Sequence, residues 1–177
     1  LPATKPKTID MKGFRQKVKI ISFIIIAINI QVYAQGVLDI ETKDLNGQIS
    51  SIGQVVSADF IVLDFWATWC KPCVKSIPKL VELSEKYSTD KVAFVGINED
   101  SPRNTNKVKP FVRSLNISYP ILLDPDQEIM NELLVNSFPT LIIVNSDARV
   151  LYVHEGYTSG DEVIIEEAIN KLLKKHD

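Results

Sequence analysis

Two cysteines make up the whole thiol complement of this 177-residue chain, and they stand three positions apart in Trp69-Cys70-Lys71-Pro72-Cys73. A pair at this spacing can ligate a metal, cross-link the chain, or cycle between disulfide and dithiol. Zinc needs four ligands; there is no further cysteine, and His154 and His176 lie well apart near the C-terminus. As a structural cross-link, so short a loop gives ~2 kcal/mol of closure entropy, against about 5 kcal/mol for a long loop. Redox exchange explains the surroundings as well as the pair. The cysteines follow a β-like run and open a helix-like one, which puts Cys70 at a helix N-terminus, where free N–H groups and the dipole favour a thiolate. Lys71 adds a positive charge beside it, and Pro72 suits a first helical turn. Cys73, one turn further in, is the more shielded. The spacing therefore assigns Cys70 to attack on a substrate disulfide and Cys73 to resolution of the mixed disulfide.

The elements that position this pair follow from hydrophobic periodicity. Ile61 to Trp66 is a dense β-branched and aromatic run, predicted as a buried central strand. Val74, Ile77, Leu80, Val81 and Leu83 recur at helical spacing over Cys73 to Tyr87, predicting an amphipathic helix. Val37 to Thr42 and Gln48 to Ser50 flank the turn-prone Leu45-Asn46-Gly47, predicting a hairpin. Val92 to Ile97 reads as a second strand, Ser101-Pro102 to Asn116 as a helix capped at Ser101, and Ile121 to Leu123 as a short extended piece. A short helix over Asp126 to Leu134, a hairpin of Thr140 to Val144 with Val150 to Val153, and a helix over Asp161 to Lys175 complete the order. Strands alternating with helices and closed by a hairpin predict a three-layer α/β/α sandwich around a mixed sheet. Asp64 stands inside the central strand. A carboxyl there is costly unless paired or neutral, although strict alternation would also let it face outward.

The stretch Phe65-Trp66-Ala67-Thr68-Trp69-Cys70-Lys71-Pro72-Cys73 resembles the active-site segment of thioredoxin-like proteins. The preceding hairpin, the leader described below and the extra helical stretch around Pro102 to Pro120 make the chain similar to the TlpA/ResA branch, from about Val37 to the C-terminus. The resemblance implies a thioredoxin fold, a bacterial extracytoplasmic location, and reduction of protein disulfides, among them those of apocytochrome c awaiting haem. It requires no bound cofactor. Phe138-Pro139-Thr140 resembles the family's cis-proline loop, and Gly156 the third loop flanking the substrate groove, with Trp69 as its wall and Lys71 and Pro72 beside it. In thioredoxins the aspartate matching Asp64 shuttles the resolving cysteine's proton. TlpA/ResA proteins often carry instead a glutamate three residues after the second cysteine, where this chain has Ser76. Gly96 stands where thioredoxins tend to place a lysine, so burial without that partner should push Asp64 up.

The formal charge of −2 excludes a basic nucleic-acid-binding face. Lys12, Arg15, Lys17 and Lys19 precede an apolar run, Ile20 to Ile30, that closes on Val32-Tyr33-Ala34. This is a secretory signal pattern, with Met11 as the expected start and cleavage expected after Ala34. The run is about ten residues, short of the ~20 of a membrane span. Residues 1–34 are therefore set apart from a single domain, 35–177, and membrane contact is expected only if the leader stays uncleaved. The expected partners are disulfide-containing exported proteins and a membrane thiol electron donor, in the bacterial periplasm. The Lys-Pro dipeptide lacks the histidine of strongly oxidising relatives, which favours reduction. The rivals are a copper carrier using His154, a redox-inert adaptor that keeps the groove, and a peroxidase in which Cys70 attacks peroxide.

Overall fold

The computed structural model describes residues 36–87 and 91–176. The expected leader, its cleavage site and Met11 lie outside these residues. In chain order the elements are α1 (Gly36–Asp39), β1 (Thr42–Asp44), β2 (Ile49–Ser50), α2 (Ile52–Val55), β3 (Phe60–Trp66), α3 (Lys71–Lys86), β4 (Val92–Asn98), α4 (Thr105–Ser114), β5 (Ile121–Leu123), α5 (Glu128–Glu132), β6 (Thr140–Asn145), β7 (Val150–Glu155) and α6 (Asp161–His176).

Successive side chains of a strand point to opposite faces, so the uniformly apolar β3 must be covered on both. Phe60, Val62 and Trp66 pack with Ile77, Leu80 and Leu83 of α3, Val108 and Val112 of α4, and Ile165 and Ile169 of α6. Ile61, Leu63 and Phe65 pack on the other face with Val37 and Leu38 of α1, Ile52 of α2 and Ile129 of α5. The sheet between these layers runs β2-β1-β5-β4-β3-β6-β7. β3 pairs with β4 in parallel and with β6 antiparallel, and β4 pairs with β5 in parallel. This is the mixed sheet of a thioredoxin-like fold, central strand included.

Several local expectations change. Val37 and Leu38 lie in a single helical turn, not a strand, because both side chains are needed on one face to cover the core. The hairpin is correspondingly shorter, pairing Thr42 with Ser50 and Lys43 with Ile49. α4 begins at Thr105 rather than at Ser101, because Ser101 to Asn104 close into a turn through Asn104 N–H and the Ser101 carbonyl (2.8 Å). Prolines lie inside α3 (Pro78) and α4 (Pro110). Each removes the donor for the carbonyl four residues earlier, at Val74 and Asn106, and both of those residues are exposed to water. Val74, counted in the apolar stripe of α3, is on its solvent side; the buried stripe is Cys73, Ser76, Ile77, Leu80 and Leu83. Among the described residues no helix is long and apolar enough to cross a membrane.

Candidate active site

β3 ends at Trp66 and α3 begins at Lys71, so the four residues between them, Ala67 to Cys70, carry the chain from the sheet to the helix. They form a turn closed by Cys70 N–H on the Ala67 carbonyl, 3.0 Å. Cys70 is the N-cap of α3 in extended conformation, and its Sγ accepts the N–H of Cys73 at 3.2 Å. That bond satisfies one of the free donors of the first turn. The two cysteines are joined as a disulfide, with Cα atoms 5.3 Å apart. Cys70 keeps 4 % exposure and Cys73 none. Lys71 and Pro72 are exposed on the first turn.

Trp69, 63 % exposed, meets Phe138 edge-on with ring centroids 5.8 Å apart. The Phe138–Pro139 peptide is cis, as the resemblance implied. The Pro139 carbonyl accepts Gly156 N–H at 2.7 Å, which joins the two loops flanking the disulfide end of the sheet. Gly156 has φ +78°, the left-handed region that side-chain-bearing residues rarely adopt. Thr140 is buried at the start of β6, opposite Phe65, with Oγ1 donating to the Ser137 carbonyl at 2.8 Å. A cleft of about 500 Å³ lined by Ile40, Thr42, Leu123 and Asp126 lies beside β1 and β5, and neither cysteine lines it.

Asp64 faces inward, not to solvent, and is 1 % exposed. By strand alternation with Val62 and Trp66 it lies on the sheet face covered by α3. Its Oδ2 accepts the Tyr119 hydroxyl at 3.1 Å, while Oδ1 has no hydrogen-bond partner among the described residues. Burial pushes its pKa up to about 7, partly opposed by the tyrosine bond. Gly96, opposite Asp64 on β4, leaves the room this arrangement needs. A Cβ there would stand 2.5 Å from Ile121 Cδ1, 3.0 Å from Trp66 Nε1 and 3.2 Å from Tyr119 Cε2. Tyr119 thus reaches the carboxyl where a lysine was the expected but missing partner. Ser76 donates to the Cys73 carbonyl at 3.2 Å.

The AhpC/TSA family model matches residues 34–153. The chain belongs to the AhpC/TSA family. It is 33 % identical over 126 residues to the thioredoxin-like protein YneN of Bacillus subtilis, covering 71 % of this chain and 72 % of that one. It is 29 % identical over 133 residues to the thiol-disulfide oxidoreductase ResA of Bacillus thuringiensis, covering 75 % and 68 % respectively. The solved structure of StoA from Bacillus subtilis superimposes with a TM-score of 0.61 at 25 % identity, over 73 % of this chain and 95 % of that one. This AhpC/TSA-family member is a thioredoxin-like thiol–disulfide oxidoreductase.

Three buried groups near the family site escaped the sequence reading. Asp100, after β4, binds Thr68 of the redox turn through both carboxylate oxygens, each at 2.7 Å. Glu99 is buried with neither oxygen hydrogen-bonded among the described residues, and burial, then the nearby Asp124 carboxylate, push it up to about 9. Tyr119 is the third. The polar run Asn98-Glu99-Asp100 at a predicted strand end was the available signal for two of them. His154, weighed as a copper ligand, has Nε2 3.1 Å from Asp161 Oδ2 and Nδ1 3.4 Å from the Tyr152 hydroxyl. Among the described residues no three His, Cys, Asp or Glu side chains are grouped to hold a metal ion.

Proposed function

We propose that this oxidoreductase reduces the disulfides of exported proteins outside the cytoplasm, with Cys70 as the attacking thiol and Cys73 as the resolving one. The Cys70 thiolate attacks one sulfur of the substrate disulfide, forms a mixed disulfide and releases the other substrate sulfur as a thiolate. Cys73 gives up its proton and attacks Cys70 Sγ. The second substrate sulfur leaves, so the substrate gains two electrons and Cys70–Cys73 is left as the disulfide. A membrane dithiol then reduces Cys70–Cys73 by the same exchange, returning two electrons and one proton to restore the Cys70 thiolate and the Cys73 thiol, and is itself left as a disulfide. Asp64, held near 7, is the acceptor for the Cys73 proton.

The observation that carries this reading is the N-cap position of Cys70, with Sγ already accepting Cys73 N–H at 3.2 Å. The same N–H donor that meets the sulfur here would meet a thiolate. Trp69, Lys71, Pro72, Phe138, Pro139, Thr140 and Gly156 border the proposed groove, in which the loops around Pro139 and Gly156 offer backbone to an extended substrate. The basic and apolar leader supports export, with residues 1–34 as upstream residues plus the signal and 35–177 as the working domain in a bacterial periplasm. Apocytochrome c awaiting haem is the substrate this reading favours.

The reduction potential of the Cys70–Cys73 couple, measured by equilibration with glutathione or dithiothreitol buffers, tests the direction. A reductant is expected near or below about −250 mV, close to thioredoxin, whereas a value well above about −200 mV would make the protein an oxidant or isomerase.

A further inference from the structure

Asp100 is fully buried, at the end of the strand next to the one that feeds the redox turn. Its Oδ2 accepts Thr68 N–H at 2.7 Å and Asn98 Nδ2 at 2.9 Å; its Oδ1 accepts the Thr68 hydroxyl at 2.7 Å. A buried carboxylate is tolerated when its lone pairs are met, and here two of the three donors belong to one residue. That residue, Thr68, sits in the turn that Cys70 N–H closes on Ala67. One residue back, Glu99 N–H donates to the Trp66 carbonyl at 2.9 Å, so the turn is joined to β4 at successive points. In the oxidised protein the bond to Cys73 also holds Cys70. Once that bond opens, the turn shares with the Cys73 N–H bond to Sγ and the Val74 N–H bond to the Cys70 carbonyl the task of keeping Cys70 at the end of α3.

We infer that Asp100 is a positioning residue for thiol–disulfide exchange, clamping Thr68 so that Cys70 stays at the helix N-terminus when the disulfide is reduced. The inference rests on Cys70 being the attacking thiol. Because the clamp acts where the covalent restraint is gone, its loss should fall mainly on the reduced state. The carboxylate charge works the other way, since a negative group disfavours a nearby thiolate. Removing charge alone would therefore speed thiolate reactions, and removing the clamp would slow them.

The test uses the full chain, reduced, with iodoacetamide alkylation of Cys70 followed by mass spectrometry, alongside the reduction potential and the melting temperature. Asp100→Ala is expected to slow alkylation about tenfold, the effect of losing charge-assisted hydrogen bonds. It should also disfavour reduction by about tenfold, a fall of about 30 mV. Asp100→Asn keeps an acceptor for the Thr68 N–H and should stay within about threefold of the parent. Thr68→Val removes only the hydroxyl bond and should be intermediate, and it carries the test if Asp100→Ala does not fold. Unchanged alkylation and potential in Asp100→Ala and Thr68→Val, with only the melting temperature lowered, would overturn the clamp. Faster alkylation in both Asp100 variants would overturn it in favour of charge alone. If Cys70 of the parent reacts no faster than a free thiol, the Cys70 assignment fails and the clamp with it.

Discussion

A carboxyl group with one oxygen bonded to a tyrosine and the other, among the described residues, unbonded is an unusual tenant of a central strand, and at Asp64 both facts bear on proton transfer. With its pKa pushed up to about 7, Asp64 is ionised above neutrality and can take a proton from a buried thiol. The rate of resolution by Cys73 is therefore expected to rise with pH through about 7, and Asp64→Asn should remove that rise and slow the step on the order of 10²-fold. Stopped-flow reduction of a disulfide substrate across pH 5–9, roughly two decades either side of that value, is the measurement. Equal profiles for variant and parent would take Asp64 out of the mechanism. Tyr119→Phe deletes the one bond that lowers Asp64, so the midpoint of the same profile should move upward. A midpoint that stays put or falls would mean that the hydroxyl does not act on the carboxylate. Sequence alone exposed Asp64 as an acid within an apolar run and Gly96 as the absence of a lysine. It could not supply Tyr119, which lies 55 positions from Asp64 and reaches it only after β5 pairs with β4.

At the scale of elements, the end of β4 does two jobs on opposite faces of the sheet. Asp100 holds the redox turn, while Glu99 is buried beside Asp124, whose oxygens accept Glu128 N–H and Met130 N–H, both at 2.9 Å, at the start of α5. Glu99 is raised from 4.5 to about 9, so the fold binds its proton more tightly than the unfolded chain does. That contribution is whole below 4.5 and is lost as pH rises through about 9. Glu99→Gln keeps the shape and removes the titration. Its melting temperature should match the parent near pH 4 and exceed it by on the order of 10 °C at pH 8, because a group moved from 4.5 to about 9 has by then lost on the order of 4 kcal/mol. A parent with no loss of stability between those pH values would contradict this. Long periodic elements, β3 and α3 above all, were legible because burial on both faces or on one stripe marks every residue. The turns at α1 and α2 were not. Four residues carry no period, and Val37 and Leu38 suit a strand equally well until the core they cover is known.

The whole molecule gathers its chemistry at one end of the sheet. The redox turn leaves the C-terminal end of β3, Asp100 follows the C-terminal end of β4, and Phe138-Pro139 enters antiparallel β6 at that same end. Open α/β sheets bind their ligands there, beyond the carboxyl ends of parallel strands. Apart from α1 and α2, the order of strands and helices was readable, and so was the Cys-x-x-Cys pair, because both are local. The bonds that lock the site were not, since Thr68–Asp100, Asp64–Tyr119 and Pro139–Gly156 each join different elements of the chain. The central claim concerns the unequal roles of two sulfurs within one turn of helix, and trapping tests it most directly. The reduced full-length Cys73→Ser and Cys70→Ser variants are mixed with a disulfide-containing protein such as insulin, and the adducts are mapped by mass spectrometry. Cys73→Ser should accumulate a mixed disulfide through Cys70, and Cys70→Ser should give neither adduct nor turnover. An adduct on Cys73 of Cys70→Ser, formed as fast as that on Cys70 of Cys73→Ser, would contradict the assignment.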